Sequence, residues 1–427
     1  MTFPRFNIRL LIAIGIGALG LLVTVALALF IVQRARGPRG GVGELPGGVG
    51  QLPGIGEGPG GQVRTGEEGG LPGIGGGEQG TGTGDQGSII NDQLPVISEV
   101  ADGGNTRVEP VVPGFPVAAT VSPNGSVNFY DSDDGKFYQI GPDGEKRLLS
   151  GEAFPGVDEV AWSPQADSAI LTFQDGSHVY YDFNTKKLAV LPKDLADPAF
   201  RSDGNSIVYK LETEDERNNW IIVSLPDGTG ARAVQPTGEN GDRVYTGFSP
   251  DNRVVATFRQ PRGVDREEIF FVGQEGENFR SLEVQGSLFR GIWSPDGRAI
   301  LYHTVLAGDE YRPNMSIAYA QGDAKIQYSL GMRTWVDRCT FTRDGRTVYC
   351  AVPETIPAGA GLVAQTVRNT AYRIFMIDAT TRQTRLVAVP VEVNFGELRD
   401  VIGLQVSPDA TELFLKTNEA VYKMRLK

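Results

Sequence analysis

Two histidines and two cysteines in 427 residues leave almost nothing from which to build a multi-histidine or multi-cysteine metal centre. No metal and no cofactor are expected. Positive charge is also in short supply, with a formal net charge of −12. That excludes a partner bound through its phosphate backbone, so nucleic acid is not expected. Catalytic signatures are missing too. No Gly-x-Ser-x-Gly elbow occurs, so an α/β-hydrolase nucleophile has no place to sit. His178 and His303 have no Ser or Cys arranged around them and read as strand-end residues rather than general bases. No catalytic residue is assigned. Asp131-Ser132-Asp133-Asp134-Gly135 opens like a calcium loop but lacks the spacing and the terminal Glu, and a polar hairpin turn explains it better.

Long apolar runs are absent except at the start. Leu10 to Val32 is 23 residues without a charge, enough to cross a bilayer core as a helix. Gly15, Gly17 and Gly20 within it spell a dinucleotide fingerprint, but no strand precedes them and no acidic residue follows at the right distance. The alternative, a cleaved signal peptide, has an apolar region of roughly 7–15 residues and a small-residue cleavage site. The expectation is an uncleaved single-pass anchor. Arg5 and Arg9 precede the run while Arg34, Arg36 and Arg39 follow it, which leaves its orientation open. Glycine is concentrated just beyond: Gly37 to Ser88 holds 23 glycines in 52 residues. Such a segment cannot bury enough apolar surface to offset its ordering entropy. It reads as a disordered tether spanning roughly 40 Å root-mean-square.

What is abundant in the rest is one phrase. Ile292-Trp293-Ser294-Pro295-Asp296-Gly297 leads into the apolar run Ala299–Tyr302. Pro suits the first corner of a tight turn and Gly a position of positive φ, so the phrase reads strand, turn, strand. Copies begin at Ser122, Ser163, Arg201, Ser249, Ser294, Thr342 and Ser407, separated by 41, 38, 48, 45, 48 and 65 residues. A period of about 40–50 residues with four strand-sized segments per unit marks a β-propeller, one blade per repeat. Blade two should carry strands at Val157–Ser163, Ala169–Gln174, His178–Phe183 and Lys187–Leu191. The last repeat runs out of chain after three strands, Val401–Ser407, Thr411–Lys416 and Ala420–Leu426. A propeller closes its ring by taking the missing outer strand from the other terminus. Thr106–Val112 is the first candidate and Leu94–Ser98 the second.

These repeats resemble the WD40-like PD40 repeats of TolB-type propellers, with Trp293–Tyr302 and Phe341–Tyr349 the best matches. The resemblance covers roughly residues 115–427 and extends to the propeller domain of dipeptidyl-peptidase-IV-like proteins. It implies a fold and says almost nothing about function. Neither the α/β domain that precedes one relative nor the hydrolase domain that follows the other is recognisable in the sequence. The expectation is all-β: a seven-bladed propeller, with six or eight blades as the alternatives. The chain divides into a short tail (1–9), a transmembrane helix (10–32), a linker (33–88) and the propeller (89–427), with repeats from 115 and the closing strand within 89–114.

Four long insertions fall between second and third strands, at Glu212–Asn219, Gln260–Glu267, Val305–Asn314 and Pro353–Ala371. In a four-stranded blade these loops share one face with the connections between blades. Binding residues gather on loops held by a rigid scaffold. The candidates are Glu214, Asp215, Arg217, Arg262, Asp265, Arg266, Asp309, Tyr311 and Arg312. The expected function is non-catalytic: binding or scaffolding of a protein, peptide or glycan at the cell envelope, the alternative being a hydrolase or lyase with its site at the channel mouth. Cys339 and Cys350 flank the turn at Asp344-Gly345 symmetrically, which places them opposite each other as a disulfide candidate. A two-residue turn would put them at a hydrogen-bonded site, where bridging is less common, unless a bulge changes the register. Two reduced thiols in the core are the alternative. A bridge would place the propeller outside the cytoplasm, with the N-terminus inside.

Overall fold

The structure, a computed structural model, describes residues 96–427 apart from 115–116, 322–323 and 395. The expected membrane helix and glycine-rich tether lie outside the described residues. Among those described, no helix is long and apolar enough to cross a membrane.

Among the described residues seven sheets follow one another, each with its blade strands antiparallel. Blade one pairs Val117–Val121, Val127–Asp131, Lys136–Ile140 and Lys146–Leu148, and blade two pairs Val157–Trp162, Ser168–Phe173, His178–Asp182 and Leu188–Leu191. Blade three is built from Leu195–Phe200, Ile207–Leu211, Trp220–Ser224 and Arg232–Pro236, and blade four from Val244–Thr246, Val254–Pro261, Arg266–Gly273 and Leu282–Gln285. Blade five comprises Ser287–Trp293, Ala299–Val305, Pro313–Gln321 and Ala324–Ser329. Blade six holds Cys339–Phe341, Thr347–Pro353, Tyr372–Asp378 and Thr384–Glu392; blade seven holds Gly403–Val406, Glu412–Lys416 and Ala420–Arg425. The chain is thus a seven-bladed propeller.

Strand alternation explains how neighbouring blades stack. In the second strand of blade two, Ala169 and Leu171 point at Tyr130 and Phe137 of blade one, while Ile170 between them points at Ile207 of blade three. All three are fully buried, which is why the strand reads as a continuous apolar run. Each such Leu or Ile contributes about 1.5–3 kcal/mol by leaving water. The same wedge of side chains fills every gap around the ring, including that between blade seven and blade one, where Phe414 and Val421 meet Val127 and Phe129.

The repeated turn owes its sequence to backbone accounting. The Ser294 N–H donates to the Ala299 carbonyl, and the Ser294 hydroxyl accepts the Ala299 N–H at 2.9 Å while donating to Asp296 at 2.6 Å. The Asp296 carboxylate in turn accepts the Arg298 N–H. Ser249 and Ser407 repeat the arrangement, as does Thr342 in blade six. Blade three replaces the Ser with Arg201, whose guanidinium grips Asp203 instead. The fourth residue of every copy has positive φ, including Ala166 and Ala410, where the usual Gly is lacking.

This loop also settles the cysteines. Because the Thr342 N–H donates to the Thr347 carbonyl, the turn contains four residues rather than two. Hydrogen-bonded and non-hydrogen-bonded sites therefore exchange places along the hairpin. Cys339 and Cys350 pair directly at a close site, with α-carbons 4.1 Å apart, and are joined by a disulfide. The expected hydrogen-bonded site is corrected by a turn two residues longer, with the pairing partners unchanged.

The closing strand is likewise shorter than the expected Thr106–Val112. Glu109–Pro113 pairs antiparallel with Ala420–Arg425 and completes blade seven, burying Val112 between blades seven and one. Asn105–Arg107 instead runs parallel to Thr384–Glu392 as an extra outer strand on blade six, and Ser98 bridges to Thr106. Val108, between the two strands, is buried against blade six and blade seven residues. The second candidate, Leu94–Ser98, closes nothing among the described residues.

A chain starting at Gly114 loses both N-terminal strands and the two buried valines, Val108 and Val112. It should melt on the order of 10 °C or more below one starting at Ser88. Equal melting temperatures by differential scanning calorimetry would show that the ring closes without them.

Candidate functional site

The inserted loops do connect second and third strands, but they differ in kind. In blade three Asp215 caps a short 3-10 turn, Glu216–Asn218, and pairs with Arg217; Glu214 is exposed beside them. In blade four the expected loop is mostly strand, because the pairing continues through Gln260 opposite Glu268 and Pro261 opposite Glu267. Only residues 262–265 turn, Asp265 sits in that turn, and Arg262 and Arg266 are engaged with Glu268 and Glu283. In blade five Arg312 pairs with Glu310 and donates to the Ile356 carbonyl, and Asp309 binds Arg333. These side chains stitch loops together instead of converging on one point.

Two of the loops join. The Gly361 N–H donates to the Tyr311 carbonyl and the Gly359 N–H to the Glu310 carbonyl, so 305–314 and 353–371 form one layer. Glu310 and Tyr311 both take positive φ to do this. The layer has a small core of its own, in which Ala360 and Val367 pack on Trp335. Outside it, Tyr311, Leu362 and Val363 stand exposed.

Beneath the layer lies a cavity of about 580 Å³, bordered by Trp335, Arg338, Val367, Arg368, Tyr372, Asp400 and Ile402. Arg338 ends a short 3-10 turn, Val336–Arg338, that leads into the inner strand of blade six. Its guanidinium stacks 4.0 Å from the Trp335 ring and 5.4 Å from the Tyr372 ring. Arg338 is 7% exposed, yet its Nη1 has no hydrogen-bond partner among the described residues. The Tyr372 hydroxyl and Asp400 Oδ1 are unpartnered as well. Burial pulls the Arg338 guanidinium below the usual arginine value, and Tyr372, Asp337 and Asp400 offset this only in part. Burial raises the Tyr372 hydroxyl, which keeps it a donor. Asp400 itself adopts positive φ, a strained conformation of the sort that collects at ligand sites.

His303 holds this arrangement from behind. It lies in the second strand of blade five, 4% exposed, and its Nδ1 accepts the Val336 N–H at 3.2 Å. Burial, with Arg290 and Arg338 nearby, pushes its pKa down to about 3. It is a neutral acceptor fixing the turn that carries Arg338. His178 is also buried and sits against Thr172.

A second, smaller cavity of about 260 Å³ is lined by inner-strand residues, among them Asp197, Tyr245 and Arg290, with Asp337 at its edge. The Arg290 guanidinium lies 4.3 Å from the Tyr245 ring, and buried Arg259 approaches that ring at 5.2 Å. Arg259 also pairs with buried Glu267, whose carboxylate accepts the Leu288 and Phe289 N–H groups at a bulge in blade five.

None of Trp335, Arg338, Tyr372 or Asp400 stood out in the sequence. They occupy a connection between blades, the first residue of a third strand and the approach to an inner strand, positions that no repeat phrase marks. The one available signal was Trp335, a tryptophan outside the repeat phase.

No protein-family model matches the chain, and no curated protein matches it in sequence. Solved structures similar to it include an oligogalacturonate lyase from Vibrio parahaemolyticus, 10% identical over 75% of this chain and 93% of that one, with a TM-score of 0.49. An oligogalacturonate lyase in complex with manganese is 12% identical over 74% of this chain and 98% of that one, again with a TM-score of 0.49. TolB from Acinetobacter baumannii is 18% identical over 64% of this chain and 62% of that one, with a TM-score of 0.41. The fold assignment rests on the seven sheets themselves.

His303 also makes a pH signature. Unfolded, it titrates near 6.5; folded, near 3. Below 6.5 the unfolded chain takes up a proton that the folded one refuses, so stability falls as pH drops from 6.5 toward 3, by up to about 1.4 kcal/mol per unit. His303→Asn, which retains an acceptor for the Val336 N–H, should flatten most of this slope between pH 6.5 and 5 in urea unfolding. An unchanged slope would mean that His303 is charged in the folded protein.

Proposed function

We propose that the protein is a single-pass, membrane-anchored propeller, held outside the cytoplasm, that binds a protein, peptide or glycan at the cell envelope through its inserted-loop face. The observation that carries the reading is the cavity bordered by Arg338, Asp400 and the loop residues Ala364, Val367 and Arg368, where neither the Arg338 guanidinium nor the half-buried Asp400 carboxylate is hydrogen-bonded to the described residues. Polar groups that border a cavity without a partner mark a place where a ligand completes the bonding. The exposed Tyr311, Leu362 and Val363 supply apolar contact beside it. The Cys339–Cys350 disulfide supports the extracytoplasmic placement, since structural disulfides persist in oxidising compartments. The apolar run Leu10–Val32 supports the anchor.

The channel-mouth group of Arg290, Tyr245, Asp197 and Asp337 favours a second reading, a hydrolase or lyase acting there. The two readings part on turnover: an enzyme would convert a polysaccharide or peptide substrate over time and lose that conversion in Arg290→Ala.

Leu362→Glu with Val363→Glu should abolish retention of the envelope ligand in affinity capture from solubilised membranes. The melting temperature should hardly move, because exposed substitutions usually cost under about 0.5 kcal/mol. Equal capture by the double variant would remove the loop face. For the compartment, alkylation of the protein in its own envelope without reductant should leave both cysteines unmodified by mass spectrometry; two alkylated cysteines would overturn the placement.

A further inference from the structure

We infer that the cavity bordered by Arg338, Tyr372 and Asp400 takes a peptide by its free C-terminal carboxylate. The inference rests on the reading of this face as a binding surface and names what the surface holds. Arg338 makes neither a hydrogen bond nor an ion pair through its side chain with the described residues, although it is nearly enclosed. Asp337 and Asp400 act on it through space but neither is within salt-bridge distance, and a nearly enclosed charge without a hydrogen-bonded counter-ion is costly, so we place that anion outside the chain. The planar guanidinium fork matches the two oxygens of a carboxylate.

Three features narrow the anion to a peptide terminus. The half-buried Asp400 carboxylate borders the cavity without a hydrogen bond from the described residues, and the backbone N–H of the terminal residue supplies a donor for it next to the bound carboxylate. Asp337 and Asp400 bring two carboxylates to the same cavity, which disfavours a doubly charged phosphate or sulfate and tolerates a single charge flanked by a neutral donor. Ala364, Val367 and Ile402 form an aliphatic wall for the last side chain. An acidic sugar would need an open aromatic face to stack on. Trp335 and Tyr372 are 6% and 0% exposed, and the Arg338 guanidinium already covers the Trp335 ring.

The test uses the full-length protein in detergent and two fluorescent pools of pentapeptides ending in leucine, identical except for a free carboxylate or a terminal amide. Anisotropy titrations should show the free pool binding at least about 10-fold tighter, the worth of a hydrogen bond to a charged group. Arg338→Gln should erase the difference between pools. Asp400→Ala, which removes the acceptor for the terminal N–H from a half-buried position, should weaken the free pool about 3- to 10-fold and leaves the test standing if Arg338→Gln fails to fold. Equal binding of the two pools, binding of neither, or displacement by trigalacturonate or inorganic phosphate but not by acetyl-leucine would overturn the inference. If the pools bind alike while Leu362→Glu with Val363→Glu still abolishes envelope capture, the peptide terminus falls and the binding surface stands.

Discussion

The whole structure depends on one strand pairing, Glu109–Pro113 on Ala420–Arg425. Blades stack through wedges of apolar side chains, and each wedge needs a neighbour on both sides. In an open array the end blades would show water an apolar face and an unpaired edge. Closing the ring converts both liabilities into an ordinary interface, with Val112 buried among Val127, Phe129 and Phe414. Asn105–Arg107 does a related service for blade six, whose outer strand would otherwise be an open edge.

That rigid ring is what allows a costly site to exist. Arg338 is buried without an ion pair, Asp400 sits in a strained conformation and His303 is kept neutral far from its ordinary pKa. None of these would persist on a flexible loop. They hold because the Val336–Arg338 turn is clamped between blade five, through His303, and blade six, whose first two strands the disulfide ties together. Ala364, Val367 and Arg368 of the 353–371 loop then border the cavity, and that loop is fastened to 305–314 by Arg312 at the Ile356 carbonyl.

The architecture was readable because it is repetitive. Seven copies of one turn phrase, most of them with the same hydroxyl-centred bonding to a neighbouring side chain and backbone, announce seven blades more loudly than any single strand does. Phase and alternation even placed Cys339 opposite Cys350. Where reading failed, a local count decided the outcome. A turn two residues longer moved the cysteine pair from a hydrogen-bonded to a close site, and a break at Val108 divided one expected strand between two blades. The site was harder to see for a different reason. Arg262, Arg266 and Arg312 look like free charges in a loop, but loops of this length bond to themselves and to their neighbours. Arg338 looks like one more arginine before a strand, and only its position in space leaves its Nη1 without a hydrogen bond among the described residues. Sequence shows which groups exist; which of them remain unsatisfied is a property of the packing.

Closure has a consequence in time. The strand that completes the last sheet is among the first pieces of the propeller to leave the ribosome, while its partner follows roughly 300 residues later, some 15–60 s at ordinary elongation rates. Blades one to six can form as they emerge, since each contacts only its neighbours. The final step is instead a single long-range encounter between the two ends of the domain. Until it happens, the incomplete blade accepts the same segment from any chain nearby. Two growing propellers on one polysome therefore compete to close on themselves or on each other, and strand-swapped chains are the misassembled product that this topology invites.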